Sequence, residues 1–218
     1  MVIIIKVILF SFYFAISVTF IQSHSINSRR LIKRRDFLLP YEDDFVNNIE
    51  FIYEKHYLEV YKFLVCFVGS REEAEDLTQD VFIKVLKHHK KFNHQSKLST
   101  WILSIAKHTA IDYLRRKKFT TLFKQSYFNK LPGNEKQPDL LLSDSENQEV
   151  VKKAIRSLKP QYRSVVILRV VNELSIKESA EILGCSQSKV KVDFHRALKI
   201  LRKNLNTLKE EVFINANG

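Results

Sequence analysis

Between Ser186 and Lys203 the chain carries Gln187, Ser188, Lys191, His195 and Arg196 on what reads as the outward side of a helix. Lys199, Arg202 and Lys203 continue the positive charge. Such side chains donate hydrogen bonds to base edges and phosphates in a major groove. A solvated basic face on a helical hairpin is the plain alternative. A second set has the opposite sign: Asp76 and Asp80 stand at i,i+4 on one helix face, with Gln79 beside them. That stripe suits an Arg-rich protein surface, or it is simply a solvated acidic face. Nothing else in the chain is arranged for chemistry. The seven His form no HExxH pattern, and neither a phosphate-binding Gly loop nor a GxSxG elbow is present. Cys66 and Cys185 lie far apart with no metal-ligand spacing, and read as small apolar fillers in a reducing cytosol. No catalytic residue, metal or cofactor is expected.

The elements that must position these residues are helical. In 218 residues there are four Gly and four Pro, which favours long helices over tight β-turns. A net charge of +12 points to a polyanionic partner, either nucleic acid or an anionic membrane face. Phe51, Ile52, Leu58, Tyr61 and Val65 recur at helical spacing in a first helix that closes at Gly69. Ser70 and Glu73 form a capping box for a second helix reaching about Lys91, with Leu77 and Val81 inward. Phe92 to Leu98 reads as a loop, and Ser99 as the cap of a third helix ending at Lys118. Pro132, Gly133 and Pro138 interrupt the stretch that follows, which reads as a flexible linker. A second helical unit then brings Pro160 at a first helical position and a Ser175/Glu178 capping box. Gly184, Cys185 and Ser186 make the turn of a helix-turn-helix, whose inward positions are Ile176, Ala180, Leu183, Val190, Phe194, Leu198 and Leu201. The expected fold is all-α, two small helical domains joined by a linker. The divisions are an N-terminal extension 1–42, a first domain 43–118, a linker 119–145 and a second domain 146–212.

The N-terminal extension is unlike the rest. Val2 to Ile21 is almost wholly apolar and about as long as a bilayer-spanning helix, and Arg29, Arg30, Lys33, Arg34 and Arg35 follow it. One reading is a single membrane anchor that leaves both domains in the cytoplasm. Another is that translation starts nearer Asp43. A cleaved secretory signal fits less well, for want of a small-residue cleavage site.

Three segments in order resemble the extracytoplasmic-function (ECF) subfamily of sigma-70 RNA polymerase sigma factors. AEDLTQDVF (Ala74–Phe82) resembles the region-two segment that docks on the β′ clamp helices of RNA polymerase. STWILSIAKHTAIDYLRRKK (Ser99–Lys118) is similar to the segment that reads and opens the minus-ten element. SLKPQYRSVVILRVVNELSIKESAEILGCSQSKVKVDFHRALKILRKNL (Ser157–Leu205) is similar to region four, which reads the minus-thirty-five element and sits on the β flap. The wording of the last two looks closest to the SigX-type subgroup.

The resemblance implies a non-enzymatic, cytoplasmic transcription initiation factor that works at the nucleoid. It implies polymerase contacts at Asp76, Leu77, Gln79, Asp80 and Phe82. It implies minus-ten contacts at Asn93, Gln95, Lys97, Trp101, Lys107, His108, Arg115 and Arg116. Loop polar groups there would capture a flipped-out base, and an aromatic among cations suits a single strand. Trp101 equally suits the core. Minus-thirty-five contacts fall on Gln187, Ser188, Lys191, His195 and Arg196. Further partners implied are promoter DNA and a membrane-bound anti-sigma factor. Primary sigma factors have paired aromatics where this chain has Trp101-Ile102, which implies weaker melting. Asp193 stands where many relatives have a basic residue, leaving the minus-thirty-five sequence open. An autonomous helix-turn-helix regulator would leave the acidic stripe without a role. In a membrane-tethered signalling protein the N-terminal helix would be the active part.

Overall fold

A computed structural model describes residues 49–127 and 146–216. Val2–Ile21, the basic run behind it and most of the 119–145 segment lie outside the described residues. All the elements described are helical. The first unit comprises α1 (Ile49–Val68), α2 (Arg71–His88) with a 3-10 turn at His89–Lys91, and α3 (Leu98–Tyr127). The second comprises α4 (Glu146–Arg156), α5 (Pro160–Val166) continuing as a π turn (Ile167–Val171), α6 (Ile176–Leu183) and α7 (Gln187–Ala216). Among the described residues no helix is long and apolar enough to cross a membrane.

The punctuation follows local chemistry. Gly69 ends α1 at a φ of 89°, with its N–H on the Val65 carbonyl at 2.9 Å. Ser70 Oγ accepts from Glu73 N–H, but the other half of the expected capping box is missing. The Glu73 carboxylate instead bonds Lys117 Nζ on α3, tying α2 to α3. Helix α3 begins at Leu98, about half a turn earlier than a Ser99 cap requires: its first bond runs from Trp101 N–H to the Lys97 carbonyl. It also runs beyond Lys118 to Tyr127. The Ser175/Glu178 box is complete, Gly184 ends α6 at a φ of 66°, and Ser186 Oγ accepts from Lys189 N–H to start α7.

In the first unit Phe63, Leu64 and Phe67 of α1 are fully buried with Val81 and Val85 of α2 and Ile102, Leu103 and Ala106 of α3. Burying each of the larger side chains stabilises by roughly 1.5–3 kcal/mol. Phe51 departs from the expected stripe. It is exposed, with Lys55 Nζ 5.6 Å from its ring, while Ile52 takes the inward place. In the second unit Ala180 buries with Val165 and Val190, so a small residue lets α6 cross close to α7.

The two units are not held apart. Most of their buried apolar residues form one cluster running from Ile52 and Phe67 through Val151, Ile155 and Leu158 to Ile182 and Leu201. Helix α1 packs on α4 and on the π turn, and α3 packs on α6. Polar ties cross the seam: Arg163 Nη1 donates to the Phe67 carbonyl at 2.7 Å and Asn172 Nδ2 to the Glu59 carbonyl at 2.9 Å. Gly69 is required twice over at this seam. Besides its positive φ, a Cβ there would meet Arg156 Cδ at 2.5 Å.

Candidate functional site

Three faces carry the residues singled out in the sequence. On α2, Asp76, Gln79 and Asp80 are all exposed, and Ile83 extends their stripe one turn on. Leu77 and Phe82 do not share that face. Both are buried, and the Phe82 ring meets Tyr53 edge-on with centroids 4.7 Å apart. In this structure they anchor the helix, and its helical period turns the carboxylates outward. Burial first, and the charge of Asp76 next, raise the Glu75 carboxyl.

The second face joins the loop before α3 to one stripe of that helix. Asn93 Oδ1 accepts from Gln95 N–H at 3.3 Å, and both side chains are exposed. His94 holds a φ of 58° with its ring 4.5 Å from that of Phe92. Phe92 in turn lies 5.3 Å from Trp101, which is half-buried: one side rests on the core and the rest faces outward. Trp101, Ser104, His108, Asp112 and Arg115 follow at three- and four-residue steps and so share a stripe, which Arg116 flanks. His108 Nδ1 donates to the Ser104 carbonyl at 2.8 Å, and Arg115 and Arg116 are exposed.

Lys107 is not on this stripe. At about 100° per residue it points roughly a third of a turn away, toward α6. It is 7% exposed, and its Nζ donates to the Ile182 carbonyl at 2.9 Å. Burial lowers its pKa. In this arrangement the ammonium is occupied at the end of α6. Lys97 remains exposed, but its Nζ lies 2.7 Å from Glu178 Oε1, also on α6.

On the third face, Gln187, Ser188, Lys191, His195 and Arg196 are all exposed on α7. Val190 and Ala197 are fully buried, and Phe194 packs against the core beneath them. Asp193 does not join the exposed residues. It is 3% exposed and turns inward, accepting from Gln161 Nε2 and from Lys189 Nζ at 2.9 Å. Burial alone would raise its pKa, but the bonds from Lys189 and Gln161 outweigh it and hold the carboxyl below its usual range. An acidic residue at this position therefore leaves the exposed face of α7 basic. Reading the sequence passed over Val192, which is 46% exposed among the donors of this face. Counting the α7 register from the buried Val190 would have placed it outward.

Residues 52–120 match the Sigma-70 region 2 family, and residues 148–201 match the Sigma-70, region 4 family. The RNA polymerase sigma factor YlaC of Bacillus subtilis is 38% identical over 168 residues, covering 76% of this chain and 96% of YlaC. The ECF sigma factor SigX of Bacillus subtilis is 35% identical, over 75% of this chain and 86% of SigX. The chain belongs to the ECF sigma factors. Among solved structures, the sigma factor RpoE of Bartonella quintana, in complex with the anti-sigma factor NepR, shares the fold with a TM-score of 0.56. It does so at 22% identity, over 73% of this chain and 97% of RpoE. As an ECF sigma factor the chain is an alternative initiation factor for RNA polymerase, with its region 2 on α1–α3 and its region 4 on α4–α7.

Proposed function

We propose that this chain docks on the β′ clamp helices of core RNA polymerase through Asp76, Gln79 and Asp80, and on the β flap through its second unit. It then directs the enzyme to promoters. Asn93, Gln95, Trp101, His108, Arg115 and Arg116 engage the minus-ten strand, joined by Lys97 and Lys107 once these leave α6. Gln187, Ser188, Lys191, His195 and Arg196 enter the major groove at the minus-thirty-five element. The working units are 43–118 and 146–212, joined by 119–145. The chain works at the nucleoid in the cytoplasm and adds no catalytic group of its own.

The observation that carries this reading is the exposure of one acidic and two basic faces on separate helices, each backed by buried apolar residues. An autonomous regulator would leave the acidic face of α2 without a role. The RpoE structure holds NepR, and the similar CnrH structure holds the cytosolic domain of CnrY. On that analogy an anti-sigma factor, membrane-bound in the cell, holds this chain inactive.

Co-purification with core polymerase, followed by run-off transcription from promoters that the holoenzyme selects, tests the whole reading. Failure to bind core would overturn it. Within the same selection, Lys191→Ala changes which minus-thirty-five sequences are preferred, because a base-edge contact is worth roughly 1–3 kcal/mol of discrimination. Lys199→Ala and Lys203→Ala, farther from the helix start, weaken all sequences alike and lower the salt slope by about one unit each. Equal, sequence-blind losses in all three variants would show that the reading face lies elsewhere.

A further inference from the structure

We infer that Val192 is a specificity-determining residue that reads the 5-methyl group of a thymine in the minus-thirty-five element. The inference rests on α7 being the recognition helix, as proposed above. Single exposed apolar side chains are common on protein surfaces and by themselves mean little. Val192 differs by its place. It lies four residues after Ser188 and three and four before His195 and Arg196, all exposed, with Lys191 beside it. Those spacings make the polar residues its immediate neighbours on the helix surface. The first apolar position of α7, Val190, is fully buried, so Val192 at 46% exposure breaks the inward pattern. Ile200, also exposed, is two turns farther along, where a helix reading bases from its N-terminal end has left the base edges.

The chemistry is specific. The thymine methyl is the apolar feature that A·T pairs offer the major groove, amid donors and acceptors. A β-branched side chain, stiff about χ1, presents two methyls in a fixed direction with little rotamer freedom to lose. Ser188 and His195 on either side supply donors for the flanking base edges. The test uses holoenzyme and the promoter recovered by the selection above, with each minus-thirty-five thymine replaced in turn by deoxyuridine, which removes only the methyl. Wild type loses about fourfold in affinity at one position, the worth of one buried methyl group. Val192→Ala binds the thymine probe about fourfold more weakly, and its deoxyuridine probe no worse than that. A wild-type holoenzyme that binds the promoter yet shows no deoxyuridine penalty dependent on Val192 overturns the inference. A holoenzyme that selects no minus-thirty-five sequence overturns the functional reading itself, and the inference with it.

Discussion

Replacing both Asp76 and Asp80 with Lys abolishes assembly with core polymerase while the chain keeps its helical content. Both carboxylates are exposed on α2, and Leu77, Val81 and Phe82, which hold that helix to the core, are untouched by the change. Folding therefore does not depend on them. Assembly does: breaking a hydrogen-bonded charge pair across an interface costs roughly 2–5 kcal/mol, and setting like charges opposite one another costs several more. Two reversals together weaken binding by more than about a thousandfold. Fluorescence anisotropy with labelled core enzyme measures the loss, and circular dichroism monitors the helices. Undiminished binding would remove α2 from the polymerase interface.

Arg163→Ala destabilises the chain by roughly 2–5 kcal/mol, seen as a large drop in the urea midpoint. The Arg163 guanidinium is buried and donates to three carbonyls: Phe67 at 2.7 Å, Leu158 at 3.1 Å and Arg156. It also lies 5.3 Å from the Phe67 ring. Burial, and then the nearby charge of Arg156, lower its pKa to about 10, which leaves it charged at neutral pH. Alanine would leave those carbonyls without their donor where water reaches them poorly, and would open a cavity beside Phe67. Arg163→Lys keeps the charge but not the planar fork that serves several acceptors at once, so its loss falls between wild type and alanine. Equal stability of all three proteins would show that the carbonyls find water instead.

How much of this was legible in the residues depended on the range of the physics involved. Gly184 and the Ser175/Glu178 box mark the turn and the cap around α6 because such signals act within a few residues. The outward placing of Asp76, Asp80, Lys191 and Arg196 follows from one helical period read against apolar neighbours, another local rule. The family resemblance supplied the roles, but it could not say which side chains were engaged elsewhere. Glu73 matches a capping pattern, yet its carboxylate goes to Lys117, distant in sequence and adjacent in space. Lys107 and Asp193 look like exposed charges in a linear reading, and each is buried against a partner on another helix.

By itself the sequence determined the all-α class, the helix-turn-helix, the separation of acidic and basic faces and membership among the ECF sigma factors. Each of these rests on periodicity, capping or motif order along the chain. The tertiary structure alone decided that the two units share one apolar cluster and that Arg163 and Lys107 tie the seam. The reason is physical: whether a charge meets water or a carbonyl depends on surfaces brought together across long stretches of chain, and no local pattern encodes that meeting.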